Sequence, residues 1–188
     1  MIYHASQIKD IKVLEPRVSN HNKPLVYFSS KRENVLVYLS NAVEKYCKEH
    51  SFIHNGPYYK WGPYGFDDDG TIRIEEYYPN ALIDTYKGIS GYIYKINNFS
   101  HCMPMNDIPN AFISEKPVKV DEYEYIKDAY EEILKAEEEG LIRITRYSEL
   151  SAKKKEWLRK TIIDEYNSSS SHPEYQFFLR NKFDTFFK

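Results

Sequence analysis

The stretch Leu25-Val26-Tyr27-Phe28-Ser29-Ser30 decides the fold prediction, because it joins a short apolar run to the polar start of a helical pattern. An apolar run of four residues bounded by turn-forming residues is typical of a buried strand. Ser30, with Glu33 three residues later, matches a capping box, in which the serine oxygen accepts from an amide of the first helical turn. The sequence therefore predicts a strand over 25–28, followed by a helix that begins at Ser30 and ends near His50.

Outward from this stretch, strand signals occupy most of the first two thirds of the chain. Apolar or alternating runs predict strands over 1–3, 91–96, 111–114 and 117–120. The turn Asp67-Asp68-Asp69-Gly70 leads into a further strand and favours a hairpin. Helical spacing behind Ser30 predicts one buried face, formed by Val35, Leu39, Ala42, Val43 and Tyr46.

Helix signals dominate the last third of the chain. Asp121, with Glu124 three residues on, predicts a second capping box, and Gly140 stands where a left-handed C-cap belongs. Further helices are predicted over 151–166 and from Pro173 onward. Their apolar positions are Ile126, Tyr130, Ile133, Leu134, Leu158, Ile162, Tyr166, Tyr175, Phe178, Leu179, Phe183 and Phe186. This order of elements predicts an α+β protein, with a core over 1–120 and a helical extension over 121–188.

Composition limits the classes of function. The 188 residues carry 26 basic and 28 acidic side chains, a net charge of -2, which argues against a nucleic-acid partner bound through bulk charge. No apolar run is long enough for a membrane span, and the two cysteines do not indicate a disulfide framework, so a cytoplasmic protein without a membrane partner is expected. The 18 tyrosines suit either a core or a ligand groove.

Three short motifs carry a resemblance to a known family. His4-Ala5-Ser6 ends the first predicted strand, Tyr27 lies near the end of the next, and Tyr38 follows eleven residues later on the predicted helix. This order resembles the ADP-ribosyltransferase fold of the diphtheria-toxin and poly(ADP-ribose) polymerase type, and it is similar to the rifamycin-modifying ADP-ribosyltransferases. RNA 2′-phosphotransferases share that scaffold more remotely. The resemblance implies a split antiparallel β-sheet core, here with a C-terminal helical extension.

The resemblance also implies an NAD site. His4 would bond a ribose hydroxyl, the backbone at Ala5 would hold the nicotinamide amide, and Ser6 would assist. Tyr27 and Tyr38 would enclose the nicotinamide ring. Catalytic roles would fall to His4, Tyr27 and an acid that steadies the oxocarbenium-like cation.

The acid is where the chain departs from the family pattern. The family's glutamate usually starts a late strand, but Ala111 stands at that position, and the next acid is Glu115. Glu115 would share the face of Ala111, roughly 13 Å further along a strand that rises about 3.3 Å per residue. Glu115 is therefore the candidate acid, and a family member that has lost catalysis is the alternative.

Two functions follow as expectations. One is NAD-dependent transfer of ADP-ribose to an unknown protein or small-molecule acceptor. The alternative is a non-enzymatic nucleotide- or protein-binding module on the same scaffold. A third reading, an unrelated mixed fold whose tyrosines are simply core, also stays open.

Other motifs favour structural roles, and no metal site is predicted. Residues 65–76 match a calcium loop at several positions, but its first position is Gly65, and a hairpin is favoured. The neighbours His101 and Cys102 lack the signature of a thiol nucleophile. The lysines 153–155, with Arg159 and Lys160, are typical of a solvated helix face, although they could contact phosphates.

Overall fold

The computed structural model describes residues 1–18, 23–56 and 59–188. The architecture is mixed α+β with antiparallel sheets, as the sequence predicts. The strands are β1 (Ile2–Ser6), β2 (Val13–Leu14), β3 (Arg17–Val18), β4 (Pro24–Ser29), β5 (Tyr64–Phe66), β6 (Ile72–Glu75), β7 (Gly91–Ile96), β8 (Met103–Pro104), β9 (Ala111–Ser114), β10 (Val118–Lys119), β11 (Glu122–Ile126) and β12 (Ile142–Thr145). The α-helices are α1 (Ala42–Glu49), α2 (Ala81–Tyr86), α3 (Ala129–Glu138), α4 (Ala152–Ser168) and α5 (Pro173–Lys182), and 3₁₀ helices cover Glu33–Tyr38, Tyr147–Glu149 and Asp184–Phe187.

The largest sheet places the strands in the order β11–β7–β1–β4–β9–β8, and β3 pairs with β4 outside this path. Strand β1 pairs with β7 along its whole length, from Ile2 opposite Ile96 to Ser6 opposite Tyr92. Strands β2 and β10 form a two-stranded sheet, and a three-stranded sheet has the order β12–β6–β5.

The chain forms two compact units, each assembled from three separate segments. The first unit comprises Met1–Ser40, Tyr64–Ile74 and Tyr86–Arg143, and the second comprises Asn41–Pro63, Glu75–Thr85 and Ile144–Lys188. The division into domains over 1–120 and 121–188 stays a prediction.

Each unit has its own apolar cluster. The cluster of the first unit lies against the large sheet and buries Ile2, Leu14, Val26, Phe28, Tyr94, Ile96 and Val118. The cluster of the second unit joins α1, α4 and α5 and buries Ala42, Val43, Cys47, Leu150, Leu158, Ile162, Tyr175, Phe178, Leu179 and Phe183. Both cysteines are free thiols.

The single helix predicted from Ser30 to His50 is wrong. A 3₁₀ helix over Glu33–Tyr38 and the α-helix Ala42–Glu49 replace it, with a break between them. Ser30 makes no cap, because its hydroxyl donates to Asn110 Oδ1 at 3.2 Å instead. Leu36 and Val37 are buried along with Val35, Leu39, Ala42 and Val43 of the predicted stripe, whereas Tyr46 is half-buried. This segment therefore has apolar contacts on more sides than one amphipathic helix face supplies.

The helix predicted to begin at Asp121 is also wrong in its first residues. Glu122–Ile126 forms strand β11, and the helix begins after Asp128, whose carboxylate accepts from the amide of Tyr130 at 2.9 Å. The alternating Glu-Tyr-Glu-Tyr pattern is the period of a strand. Gly140 has a φ of 74°, which confirms the left-handed residue predicted after the helix.

The remaining predicted elements are largely confirmed. The hairpin β5–β6 pairs Phe66 with Ile72 across the aspartate turn. Pro173 opens α5, and Ser151 caps α4 through a bond from the amide of Lys154. The short helix α2 and the two-residue strand β8 carry no clear signal in the sequence. Within residues 1–18, 23–56 and 59–188, the helices are too short or too polar to cross a bilayer.

Candidate functional site

The strands that carry the motif residues lie side by side in the first unit. Strand β4 lies between β1 and β9, and its Tyr27 is opposite Ile113 while its Ser29 is opposite Ala111. Strands β1 and β4 are in register at Tyr3 and Ser29, whereas the pairing of β1 with β7 extends over five residues. Beyond Tyr3, a side chain therefore links β1 to β4, in place of a continuous ladder of backbone hydrogen bonds.

His4 supplies that bridge. Its Nδ1 lies 2.9 Å from the backbone oxygen of Tyr27, and its ring meets the ring of Phe28 edge-on at 5.9 Å. Because a carbonyl oxygen can only accept, Nδ1 must carry the proton. In the neutral imidazole, Nε2 is then the acceptor, and it can receive a hydrogen bond from a hydroxyl.

The two residues after His4 are placed differently from each other. Ala5 is buried and lies opposite Ile93 of β7. Ser6 is half-buried, and its hydroxyl accepts from the amide of Ile8 at 3.2 Å. Ala5 therefore contributes backbone and a small side chain, and Ser6 shapes the turn that leaves the strand.

Tyr38 ends the 3₁₀ helix and lies in a cluster of tyrosines. The hydroxyl of Tyr64 donates to that of Tyr38 at 2.9 Å, and the two rings meet at a right angle with centroids 5.7 Å apart. Burial raises the pKa of Tyr38 well above its ordinary value, and the proximity of Tyr64, Tyr86 and Tyr27 adds to this rise. Tyr27 and Tyr38, which the sequence singled out, thus lie in one electrostatic neighbourhood.

Sequence reasoning missed Tyr64 and Tyr86, the other members of this cluster. Tyr64 lies on β5 and Tyr86 at the end of α2, far along the chain from the motifs. Burial also raises the pKa of both hydroxyls. With 18 tyrosines in the chain, only the tertiary structure distinguishes these two from the others.

The candidate acid lies apart from the position that the family pattern prefers. Ala111 begins β9 opposite Ser29, and Glu115 follows the last residue of that strand. Glu115 is exposed, and the neighbouring Ser114 hydroxyl bonds the backbone of Lys116 in a tight turn. Ala111 and Glu115 lie two residues before and two residues after Ile113, which is the partner of Tyr27.

The other motif residues have structural partners. Arg73 and Arg143 both form ion pairs with the carboxylate of Asp67. This carboxylate is therefore neutralised by cations of the protein itself. Cys102 packs at the margin of the apolar cluster in the first unit, where burial raises the pKa of its thiol.

The fold and these contacts define an α+β protein with a histidine-bridged sheet and a tyrosine cluster. No family model, curated protein or solved structure matches the chain.

Proposed function

We propose that the protein binds NAD where β1, β4 and the 3₁₀ helix Glu33–Tyr38 meet, and that it transfers ADP-ribose to an acceptor. The hydrogen bond from His4 Nδ1 to the oxygen of Tyr27 carries this proposal. It makes Nδ1 the donor, so in the neutral ring Nε2 has the acceptor role that a bond from a ribose hydroxyl of the dinucleotide requires.

The tyrosine cluster supports the site for the nicotinamide. Tyr27 and Tyr38 are half-buried, and a flat ring gains from contact with the faces of aromatic side chains. The bond from Tyr64 fixes the position of the Tyr38 hydroxyl. The backbone at Ala5 would hold the nicotinamide amide, and Ser6 would line the entrance beside it.

The topology supports an ADP-ribosyltransferase-like sheet. The resemblance assigns the histidine, the first tyrosine and the acid to three core strands, and here β1, β4 and β9 are consecutive neighbours in one sheet. The resemblance alone supplies the identity of the ligand, and the geometry is compatible with it.

The proposed reaction breaks the bond between nicotinamide and ribose C1′, and an acceptor nucleophile then attacks C1′. A carboxylate near that carbon would stabilise the cationic transition state. Glu115 is the proposed acid, and it must approach from the end of β9 that lies beyond Ile113.

A second candidate function is nucleotide binding without catalysis. Ala111 favours it, because this residue occupies the start of β9 opposite Ser29 and has no carboxylate. In this case the same residues would recognise NAD or a related nucleotide and present the bound form to a partner.

NAD binding can be tested by calorimetry on the full chain. We expect the wild type to bind, and we expect His4→Asn and Tyr27→Leu to bind at least roughly tenfold more weakly, because each loses a ligand contact worth about 1.4 kcal/mol or more. Tyr125→Leu is the matched control, since Tyr125 is an exposed tyrosine on β11 of the same sheet. A folded wild type that does not bind NAD would overturn the proposal, as would equal losses in the control.

Catalysis can be tested separately by measuring nicotinamide release from NAD. If Glu115 is the acid, Glu115→Gln should retain NAD binding and lose most of the release, whereas Glu122→Gln, at another exposed glutamate, should retain both. Binding without release by the wild type would reject the transferase activity and favour the second candidate.

A further inference from the structure

Helix α4 begins with a strongly cationic stretch that the NAD proposal does not use. Its residues 152–160 include five cationic side chains and a single acidic one, Glu156. The cationic residues are Lys153, Lys154, Lys155, Arg159 and Lys160. Although the whole chain has a net charge of -2, this surface of the second unit is locally positive.

Trp157 lies within this stretch and is 46% exposed. Lys153 precedes it by four residues and Lys160 follows it by three, so all three side chains project from the same face of the helix. The ion pair between Lys160 and Glu156 spans 3.8 Å between two exposed side chains, and such a pair is weak in water. Lys160 can therefore exchange this partner for another anion at little cost.

The indole is positioned by its neighbours. Lys154 Nζ lies 4.1 Å from the centroid of the Trp157 ring, and the same ammonium is 3.3 Å from Glu75 Oε2. The ring of Tyr77 meets the indole at 85° with centroids 6.3 Å apart. An exposed aromatic ring held in place in this way loses little conformational entropy when another flat ring stacks on it.

From these observations we propose that the first half of α4 binds single-stranded nucleic acid, with a base stacked on Trp157 and phosphates bound by Lys153 and Lys160. Aromatic platforms flanked by cations are the means by which proteins bind single strands without reading sequence. The phosphates account for the positive charge, and the base accounts for the exposed indole.

A membrane surface fits this helix less well. Interfacial helices bury a broad apolar face, but the large apolar side chains Leu158 and Ile162 of α4 already belong to the core of the second unit. Trp157 is the exposed large apolar residue of this helix, and one ring is a small anchor.

The test measures binding of the full chain to fluorescently labelled 12-mers of deoxythymidine and of uridine. Binding is measured by fluorescence anisotropy at two salt concentrations. We expect binding that weakens with salt, together with quenching of tryptophan fluorescence by the unlabelled oligomers. Trp157→Leu should lower the affinity roughly tenfold or more, because stacking on an aromatic ring contributes strongly for each base. The double variant Lys153→Gln/Lys160→Gln should reduce the slope of log affinity against log salt by about 1 to 2.

The matched charge control is Lys12→Gln/Lys119→Gln, which removes two exposed lysines, one in strand β10 and one next to strand β2. It should leave affinity and salt slope as in the wild type. Thermal unfolding of each variant is measured to check that the fold is retained.

Several outcomes would overturn the proposal. They are the absence of binding to both oligomers at low salt, an equal loss in the charge control, and unchanged affinity in Trp157→Leu. Competition by poly-glutamate as effective as that by the oligomers would show a surface for any polyanion, and tighter binding to anionic lipid vesicles would show a membrane surface. The deoxythymidine and uridine oligomers tell DNA from RNA, and a preference for either supports the proposal.

Discussion

At the scale of single residues, His4 illustrates how one backbone contact sets the chemistry of a side chain. The oxygen of Tyr27 can only accept a hydrogen bond, so it selects the tautomer in which Nδ1 is protonated. The sequence indicated that His4 and Tyr27 belong together, through the order of the motifs. It could not indicate that the link would be to the backbone of Tyr27, because that depends on how β1 and β4 separate.

The roles of the two ring nitrogens of His4 can be distinguished by substitution. Asparagine places an amide donor near the position of Nδ1, whereas glutamine places its amide near the position of Nε2. We therefore expect His4→Asn to unfold in urea close to the wild type, and His4→Gln to lose about 1 kcal/mol of the free energy of unfolding, since the oxygen of Tyr27 loses its donor. Equal losses in both variants would show that the bond to Tyr27 does not stabilise the fold.

The buried tyrosines predict a dependence of stability on alkaline pH. Because burial raises the pKa of Tyr38 above its unfolded value of about 10, the folded state holds its proton more tightly. This stabilisation is present below pH 10 or so and is lost as the pH rises further, by up to about 1.4 kcal/mol per pH unit for one tyrosine. We expect Tyr38→Phe to make the decline in unfolding free energy above pH 10 less steep, as measured by urea titrations at several pH values.

The comparison for this experiment is Tyr125→Phe, which changes an exposed ring on β11. The unfolding free energy of this variant should decline above pH 10 as steeply as that of the wild type. If the unfolding free energy of Tyr38→Phe declines as steeply as that of the wild type, Tyr38 does not contribute to the pH dependence of stability. Tyr86 is buried and also has a raised pKa, so part of the decline should persist in every variant.

At the scale of elements, the sequence located strands better than helix starts. The strand Gly91–Ile96 was predicted with its observed bounds, because a run rich in β-branched and aromatic residues has few alternatives. Both predicted capping boxes in the first 130 residues failed, because their side chains have partners from distant parts of the chain. Glu124, for example, accepts two hydrogen bonds from Arg32.

The observed cap of α3 gives a direct test. Asp128 accepts from the amide of Tyr130 at 2.9 Å and from that of Gly88 at 3.0 Å, so it caps α3 and also anchors the loop between α2 and β7. We expect Asp128→Ala to lower the free energy of unfolding by about 1 to 2 kcal/mol in urea. Ser30→Ala, which removes the cap that the sequence predicted, should cost less than about 1 kcal/mol, since its hydroxyl makes an exposed bond. The reverse order of the two losses would contradict the observed helix starts.

At the scale of the whole molecule, the division of the chain into units was beyond sequence reasoning. Segments of the two units alternate along the chain, and only contacts between residues far apart in sequence define them. Local patterns report on a dozen residues or so at a time. The candidate site shows the same limit, since Tyr64 and Tyr86 join the motif residues only after folding.

The separate core of the second unit can be tested through its fluorescence, because Trp61 and Trp157, the two tryptophans of the chain, both lie in that unit. Phe178 is buried and its ring centroid is 5.5 Å from that of Trp61. Truncation of a buried phenylalanine leaves a cavity and typically costs about 3 to 5 kcal/mol. We therefore expect Phe178→Ala to lower the unfolding free energy by that amount when tryptophan emission is followed in urea. Phe187→Ala, at a half-buried ring in the same unit, should cost less, because part of its surface is already in contact with water. Similar losses for both variants would contradict a core centred on Phe178, since a ring at the margin would then contribute as much as one at the centre.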